Sequence, residues 1–252
     1  MHVIITGGSS GIGLAVARLA VAEGHKVSII ARNPDRLRDA LKALDNSAHT
    51  QAVCADVKDA IAIDNAIRTC MEKFGDCDVL VTSAGIVEPA LFNELTEAQF
   101  NEQFETNFLG TVNAVRAVYP LMKTRGNGSI MMIASGAALI GIPGYTAYCA
   151  SKAALASFAE SLRSEVGQDV HVGISFPPDT LTPQLAVELP KRPVAAQALM
   201  GSHKAWPVEK VAEGVFNGIR RRKKQVHFGW ELEALAWLGP FIKPFIYKKV
   251  RR

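Results

Sequence analysis

Long apolar runs are missing from this sequence: its 252 residues contain no stretch of about 18 apolar residues. A helix that crosses a bilayer is therefore not expected. Cysteine is scarce, and Cys54, Cys70, Cys77 and Cys149 form no Cys-x-x-Cys pair. They make no metal-like cluster with histidine, and reduced thiols, as in a cytoplasmic protein, are the expectation. The six histidines are scattered, without a His-Glu-x-x-His, so no metal is expected. Strand-like sequence starts at His2, which leaves no room for a signal peptide or an N-terminal anchor. Internal repeats and an interdomain linker are also lacking.

What is present suits one packed domain. Hydrophobic residues make up 48% and charged residues 21%, a balance that supports a core and argues against disorder. Charge is unevenly spread. Residues 220–252 hold ten Lys/Arg against Glu231 and Glu233, while the rest of the chain carries a net −4. A basic tail thus follows a mildly acidic body.

Strand-like segments alternate with helical ones. Strands are expected at His2–Thr6, Lys26–Ala31, Thr50–Cys54, Asp78–Val81, Gly128–Ala134, His171–Ser175 and Gln225–Phe228. Helices are expected through about Glu23, then over Asp35–Leu44, Ile61–Phe74, Ala98–Met122, Tyr145–Val166 and 208–223. This alternation predicts an α/β fold, a doubly wound parallel sheet with helices on both faces. Pro177–Met200 has no clean period and reads as a covering loop with short helices. The organisation expected is a catalytic domain over 1–229 and a basic, aromatic-rich tail over 230–252.

Two motifs carry chemistry. Thr6-Gly7-Gly8-Ser9-Ser10-Gly11-Ile12-Gly13 lies between a strand and a helix, where glycines allow a tight turn and close approach to a pyrophosphate. Tyr148-Cys149-Ala150-Ser151-Lys152 places a phenol and an ammonium one turn apart on one helix face. Lys152 there is expected to lower the tyrosine pKa from its ordinary value of about 10. Ser135, 13 residues before Tyr148, can donate to a carbonyl oxygen as charge builds on it. A nicotinamide site usually has an acid about 20 residues after the glycines to hold the ribose hydroxyls. Here that place is Ala31, followed by Arg32, whose guanidinium suits a 2′-phosphate. Asp56 follows the third strand and reads either as an adenine contact or as a helix cap.

These segments, with Asn107 in Thr106-Asn107-Phe108-Leu109-Gly110 and the strand end Thr82-Ser83-Ala84-Gly85, resemble the short-chain dehydrogenase/reductase superfamily from residue 2 to about 230. Ala31-Arg32-Asn33 and Pro177-Pro178-Asp179-Thr180-x-Thr182-Pro183 are more similar to one branch, the 3-ketodihydrosphingosine reductases. The resemblance implies a Rossmann-type fold and a tetrad in which Tyr148 is the general acid and Ser135 orients the carbonyl. In it Lys152 binds ribose, and Asn107 holds a relay water. It implies NADPH/NADP+ contacts from Gly7, Ser9, Ser10, Gly11, Ile12, Gly13, Arg32, Asp56, Val57, Ala84, Gly85, Tyr148, Lys152, Pro178, Thr180 and Thr182. The implied reaction is NADPH-dependent reduction of a long-chain 3-keto lipid in sphingolipid synthesis, by a homo-oligomer. Reduction of another hydrophobic ketone, a 3-oxoacyl thioester or a steroid, is the alternative. A non-catalytic NADP-binding sensor would not need the complete tetrad. Thr82 and Ser83 replace the usual Asn-Asn, which removes an amide that braces the sheet, and modest structural compensation is expected.

In the tail, Trp230, Trp237, Phe241, Phe245 and Tyr247 are interleaved with Lys243, Lys248 and Lys249. Aromatics beside cations suit peripheral contact with a membrane surface, or an arm packed on a neighbouring subunit. Pro240 and Pro244 are expected to prevent one long helix. No nucleic-acid reader motif is present, and no nucleic-acid partner is expected.

Overall fold

His2–Thr6 (β1) is buried at every position because it takes the middle of a seven-stranded parallel sheet. The computed structural model describes residues 1–200 and 204–250. After β1 come α1 (Gly11–Ala22), β2 (Lys26–Ala31), α2 (Pro34–Leu44), β3 (Thr50–Cys54), α3 (Ala60–Phe74) and β4 (Val79–Thr82). Then follow α4 (Glu97–Phe104), α5 (Gly110–Arg125), β5 (Gly128–Ile133), α6 (Thr146–Val166) and β6 (Val170–Phe176). The chain continues through α7 (Pro183–Glu188), α8 (Val194–Met200), α9 (Val208–Arg220), β7 (Gln225–His227) and α10 (Trp230–Val250). Strand order is β3-β2-β1-β4-β5-β6-β7, so the winding reverses between β1 and β4. Thr6 lies in register with Thr82, and Thr82 with Met132.

Alternate strand residues feed two cores, as a sheet covered on both faces requires. Ile4, Leu80 and Ile130 pack with Ile63 and Ile67 of α3, Val118 of α5 and Leu155 of α6. Val3, Ile5 and Val81 pack with Val16 of α1, Leu37 of α2, and Val211 and Val215 of α9. Each such side chain contributes about 1.5–3 kcal/mol on burial. Local signals set the helix starts. Asn33 caps α2 ahead of Pro34, Asp59 caps α3, and Thr96 with Gln99 forms a capping box on α4.

Two expectations need correction. The helix expected over Ala98–Met122 is interrupted by a π-helical turn, Glu105–Leu109, which joins α4 to α5. The proline pair does not break the tail: α10 runs through both Pro240 and Pro244. Their four-residue spacing puts both missing N–H groups on one side of the helix, where both prolines are exposed and water can reach the freed carbonyls. Packing on either side of the pair holds the helix in place. Leu232 packs against the core, and Leu235, Ile246 and Tyr247 pack on the cluster around Tyr145. Arg251 and Arg252, part of the basic tail, lie outside the described residues.

Candidate active site

The segments after β1, β4, β5 and β6 meet at the carboxyl edge of the sheet, around the reversal of strand order. Gly7 has φ +71°, and a Cβ there would lie 2.5 Å from the Ala84 backbone nitrogen. Gly13 is held as closely, since its Cβ would lie 2.5 Å from the Gly7 carbonyl oxygen. Ser9, Ser10, Gly11 and Ile12 complete the turn. Ser10 is extended and makes no side-chain hydrogen bond to the helix it precedes, so no cap occupies the first N–H groups of α1. Free helix N–H groups beside glycine backbone fit a pyrophosphate.

The other expected cofactor contacts border this turn. Ala84 touches Gly7, and a Cβ on Gly85 would lie 3.2 Å from Asn107 Oδ1 and 3.5 Å from Lys152 Nζ. Thr182 caps α7 by accepting from the Leu185 N–H at 3.3 Å, and its methyl approaches Gly11. Thr180 donates to the Pro178 carbonyl at 2.8 Å, which folds that segment tightly. Asp56 accepts from the Lys58 N–H at 3.0 Å, whereas the cap of α3 is Asp59, so the helix-cap reading of Asp56 is set aside. Val57 is core: its side chain packs on Gly110, and any contact it makes with a cofactor falls to its backbone. Arg32 is exposed and leans on Glu102 at 3.5 Å, a carboxylate that also holds Lys58 at 2.7 Å. Sequence reasoning missed this second cation and its shared anion, because no motif links residues 58 and 102.

The residues expected to be catalytic are brought together. Tyr148 and Lys152 share a face of α6, with Lys152 Nζ 5.8 Å from the Tyr148 ring centre. Ser135 lies near enough to the phenol of Tyr148 to influence its proton, and its own oxygen accepts from the Ala137 N–H at 3.1 Å. Lys152 is buried and donates to the Ile133 carbonyl at 3.0 Å. Its burial brings its pKa down to about 8. Asn107 lies in the π-helical turn with its side chain fully enclosed. Its Oδ1 accepts from the Ile86 N–H at 2.8 Å, while Nδ2 donates to the Ile86 carbonyl at 2.9 Å and to Ser151 Oγ at 3.0 Å. Ser151 in turn donates to the Tyr148 carbonyl at 2.8 Å. Asn107 thus fastens the end of β4 to α6 through Ser151, a residue that sequence reasoning did not single out although it lies three positions after Tyr148 on the same helix.

One expectation fails here. Lys152 does not lower the Tyr148 pKa in this state: burial raises it well above its ordinary value. The Ser135 hydroxyl opposes that rise, and the carboxylates of Glu188 and Asp179 add to it. Tyr148 therefore stays protonated at neutral pH, the state a proton donor needs. The compensation expected at Thr82 does not come from its hydroxyl, which is buried without a partner.

Together these features fit a dinucleotide-dependent oxidoreductase site, with a glycine turn suited to phosphate beside a protonated phenol and a buried lysine. The chain belongs to the short-chain dehydrogenase family, whose model (short chain dehydrogenase) matches residues 1–192. It is 38% identical to a 3-dehydrosphinganine reductase of Arabidopsis thaliana over 94% of this chain and 73% of that protein. It is 35% identical to 3-ketodihydrosphingosine reductase of Bos taurus over 85% of this chain and 67% of the relative. Among solved structures, a variant of actinorhodin polyketide ketoreductase with NADPH superposes with a TM-score of 0.81 at 27% identity, covering 92% of this chain and 96% of that one.

Proposed function

We propose that this protein uses NADPH to reduce a long-chain 3-keto lipid, with 3-ketodihydrosphingosine as substrate and dihydrosphingosine as product. The observation that carries the reading is a complete Ser135–Tyr148–Lys152 site in a chain so similar to 3-dehydrosphinganine reductases along most of its length. When bound, the dinucleotide supplies hydride. The chain's own residues do the rest. The glycine turn and the N-terminus of α1 hold the phosphates, Ser135 orients the ketone oxygen, and Tyr148 gives that oxygen its proton. Purified protein with NADPH and 3-ketodihydrosphingosine should yield a product heavier by two hydrogens in a mass spectrum. Unchanged substrate would refute the reading.

Arg32 supports NADPH over NADH, with Lys58 close by. Arg32→Asp removes a charge-assisted hydrogen bond of roughly 1.5–3 kcal/mol and adds repulsion, so NADPH should bind at least several-fold more weakly. Fluorescence titration reads this directly. Equal wild-type affinities for NADPH and NADH would remove Arg32 from the recognition.

The reading includes work at the cytoplasmic face of a membrane, through peripheral contact. Exposed apolar side chains gather on segments that follow the carboxyl edge of the sheet: Phe92 after β4, Val187 and Val194 after β6, and Trp230, Trp237, Phe241 and Phe245 on α10. Lys243 and Lys248 lie on the same helix, and each cation near an anionic surface contributes about 1 kcal/mol. Trp237→Glu, Phe241→Glu and Phe245→Glu together spare the packed face of α10. This triple variant should stay in solution when wild type sediments with phosphatidylserine vesicles. If neither form sediments and the triple variant instead splits a homo-oligomer, the exposed face is a subunit contact.

A further inference from the structure

Arg192 is a buried, multiply bonded cation outside the tetrad, and no motif marks it. It follows α7 and a single 3₁₀ turn, yet it is only 9% exposed. Its guanidinium donates to Asp179 Oδ2 at 2.7 Å, to Glu188 Oε1 at 2.7 Å and to the Tyr145 hydroxyl at 3.0 Å. Tyr145 donates to the same Glu188 oxygen at 2.7 Å. One buried fork therefore joins the loop after β6, α7 and the first residue before α6. The adjoining residues repeat the contact: Gly144 has φ +78°, and a Cβ on it would lie 2.5 Å from Pro193 Cγ. The Tyr145 ring is buried and meets the Tyr148 ring edge-on, with centroids 6.3 Å apart at 68°. Contacts thus run unbroken from Arg192 to the catalytic phenol.

We propose that Arg192 is a positioning residue: it clamps the covering segment 177–200 onto Tyr145 and through that ring fixes Tyr148. This rests on Tyr148 as the proton donor and adds a control exerted from the covering segment. A buried ion pair adds little net stability against an apolar substitute, but it specifies one arrangement of its partners. Removing its cation leaves Asp179 and Glu188 uncompensated beside the phenol, and the segment loses its hold on α6.

The test combines kinetics with hydrogen exchange on the unliganded protein. Arg192→Gln should lower kcat for 3-ketodihydrosphingosine at least tenfold, and should increase amide exchange in residues 183–197 while strand amides keep wild-type protection. Tyr145→Phe should cause a smaller loss of the same kind. The double variant should be within twofold of Arg192→Gln alone, because both changes open one network. Should Arg192→Gln fail to fold, Arg192→Lys, which keeps the charge but loses the fork, should show the same two effects at smaller size. Lower Tm with wild-type exchange in 183–197 and wild-type kcat would make Arg192 purely structural and overturn the proposal. Multiplicative losses in the double variant would also overturn it. A Tyr148→Phe enzyme with full activity would instead remove the reading on which the proposal rests, and that experiment is separate.

Discussion

Tyr148→Phe should lower turnover by about 100- to 10,000-fold while leaving NADPH affinity within a few-fold of wild type. In the proposed reaction the phenol protonates the ketone oxygen, with Ser135 beside it. In the proposed reading phosphate binding falls to the glycine turn and Arg32, apart from the Tyr148 hydroxyl. The ring is retained, so packing against Tyr145 persists. Steady-state rates and a cofactor titration on the same preparation check both halves. A variant that keeps half its activity would take Tyr148 out of the chemistry.

Lys152→Met should abolish most turnover and yet stabilise the unliganded protein. The lysine is buried against the Ile133 carbonyl, and its pKa falls from 10.5 to about 8 because burial disfavours the ammonium. The folded state therefore gives up this proton more readily than the unfolded chain. The penalty is fully present below pH 8 and is relieved as pH rises from 8 to 10.5. At one pKa unit per 1.36 kcal/mol, its upper bound is roughly 3 kcal/mol. Thermal melts without cofactor should show the variant ahead of wild type at pH 7, with the gap closing toward pH 10.5. A gap that stays constant with pH would mean that the buried charge is not its cause. Cofactor affinity should also fall, since Lys152 lies against Gly85 on the binding side of β4.

Much of this was legible in the sequence because it depends on short-range chemistry. Buried strands such as His2–Thr6, the glycine turn and the Tyr148–Lys152 spacing are set within a few residues, and the structure assembles them as expected. What escaped depends on distant partners. Whether Lys152 or burial governs the Tyr148 pKa is decided by the carbonyl that Lys152 faces and by Glu188 and Asp179, which lie about 30 to 40 residues away in sequence. The π-helical turn at Asn107 leaves no mark in the apolar period. Pro240 and Pro244 mislead when read alone, because packing of Leu235 and Ile246 outweighs two lost hydrogen bonds. Arg192 lies in an aperiodic stretch, and its importance comes from four segments meeting there.

The substrate is the central claim, and a competition assay tests it most directly. Purified protein, NADPH and equal concentrations of 3-ketodihydrosphingosine, a 3-oxoacyl thioester of matching chain length and a ketosteroid would be followed by product mass spectrometry. The account predicts that dihydrosphingosine dominates, with kcat/KM at least tenfold above either competitor. Preferential reduction of the thioester or the steroid would contradict it.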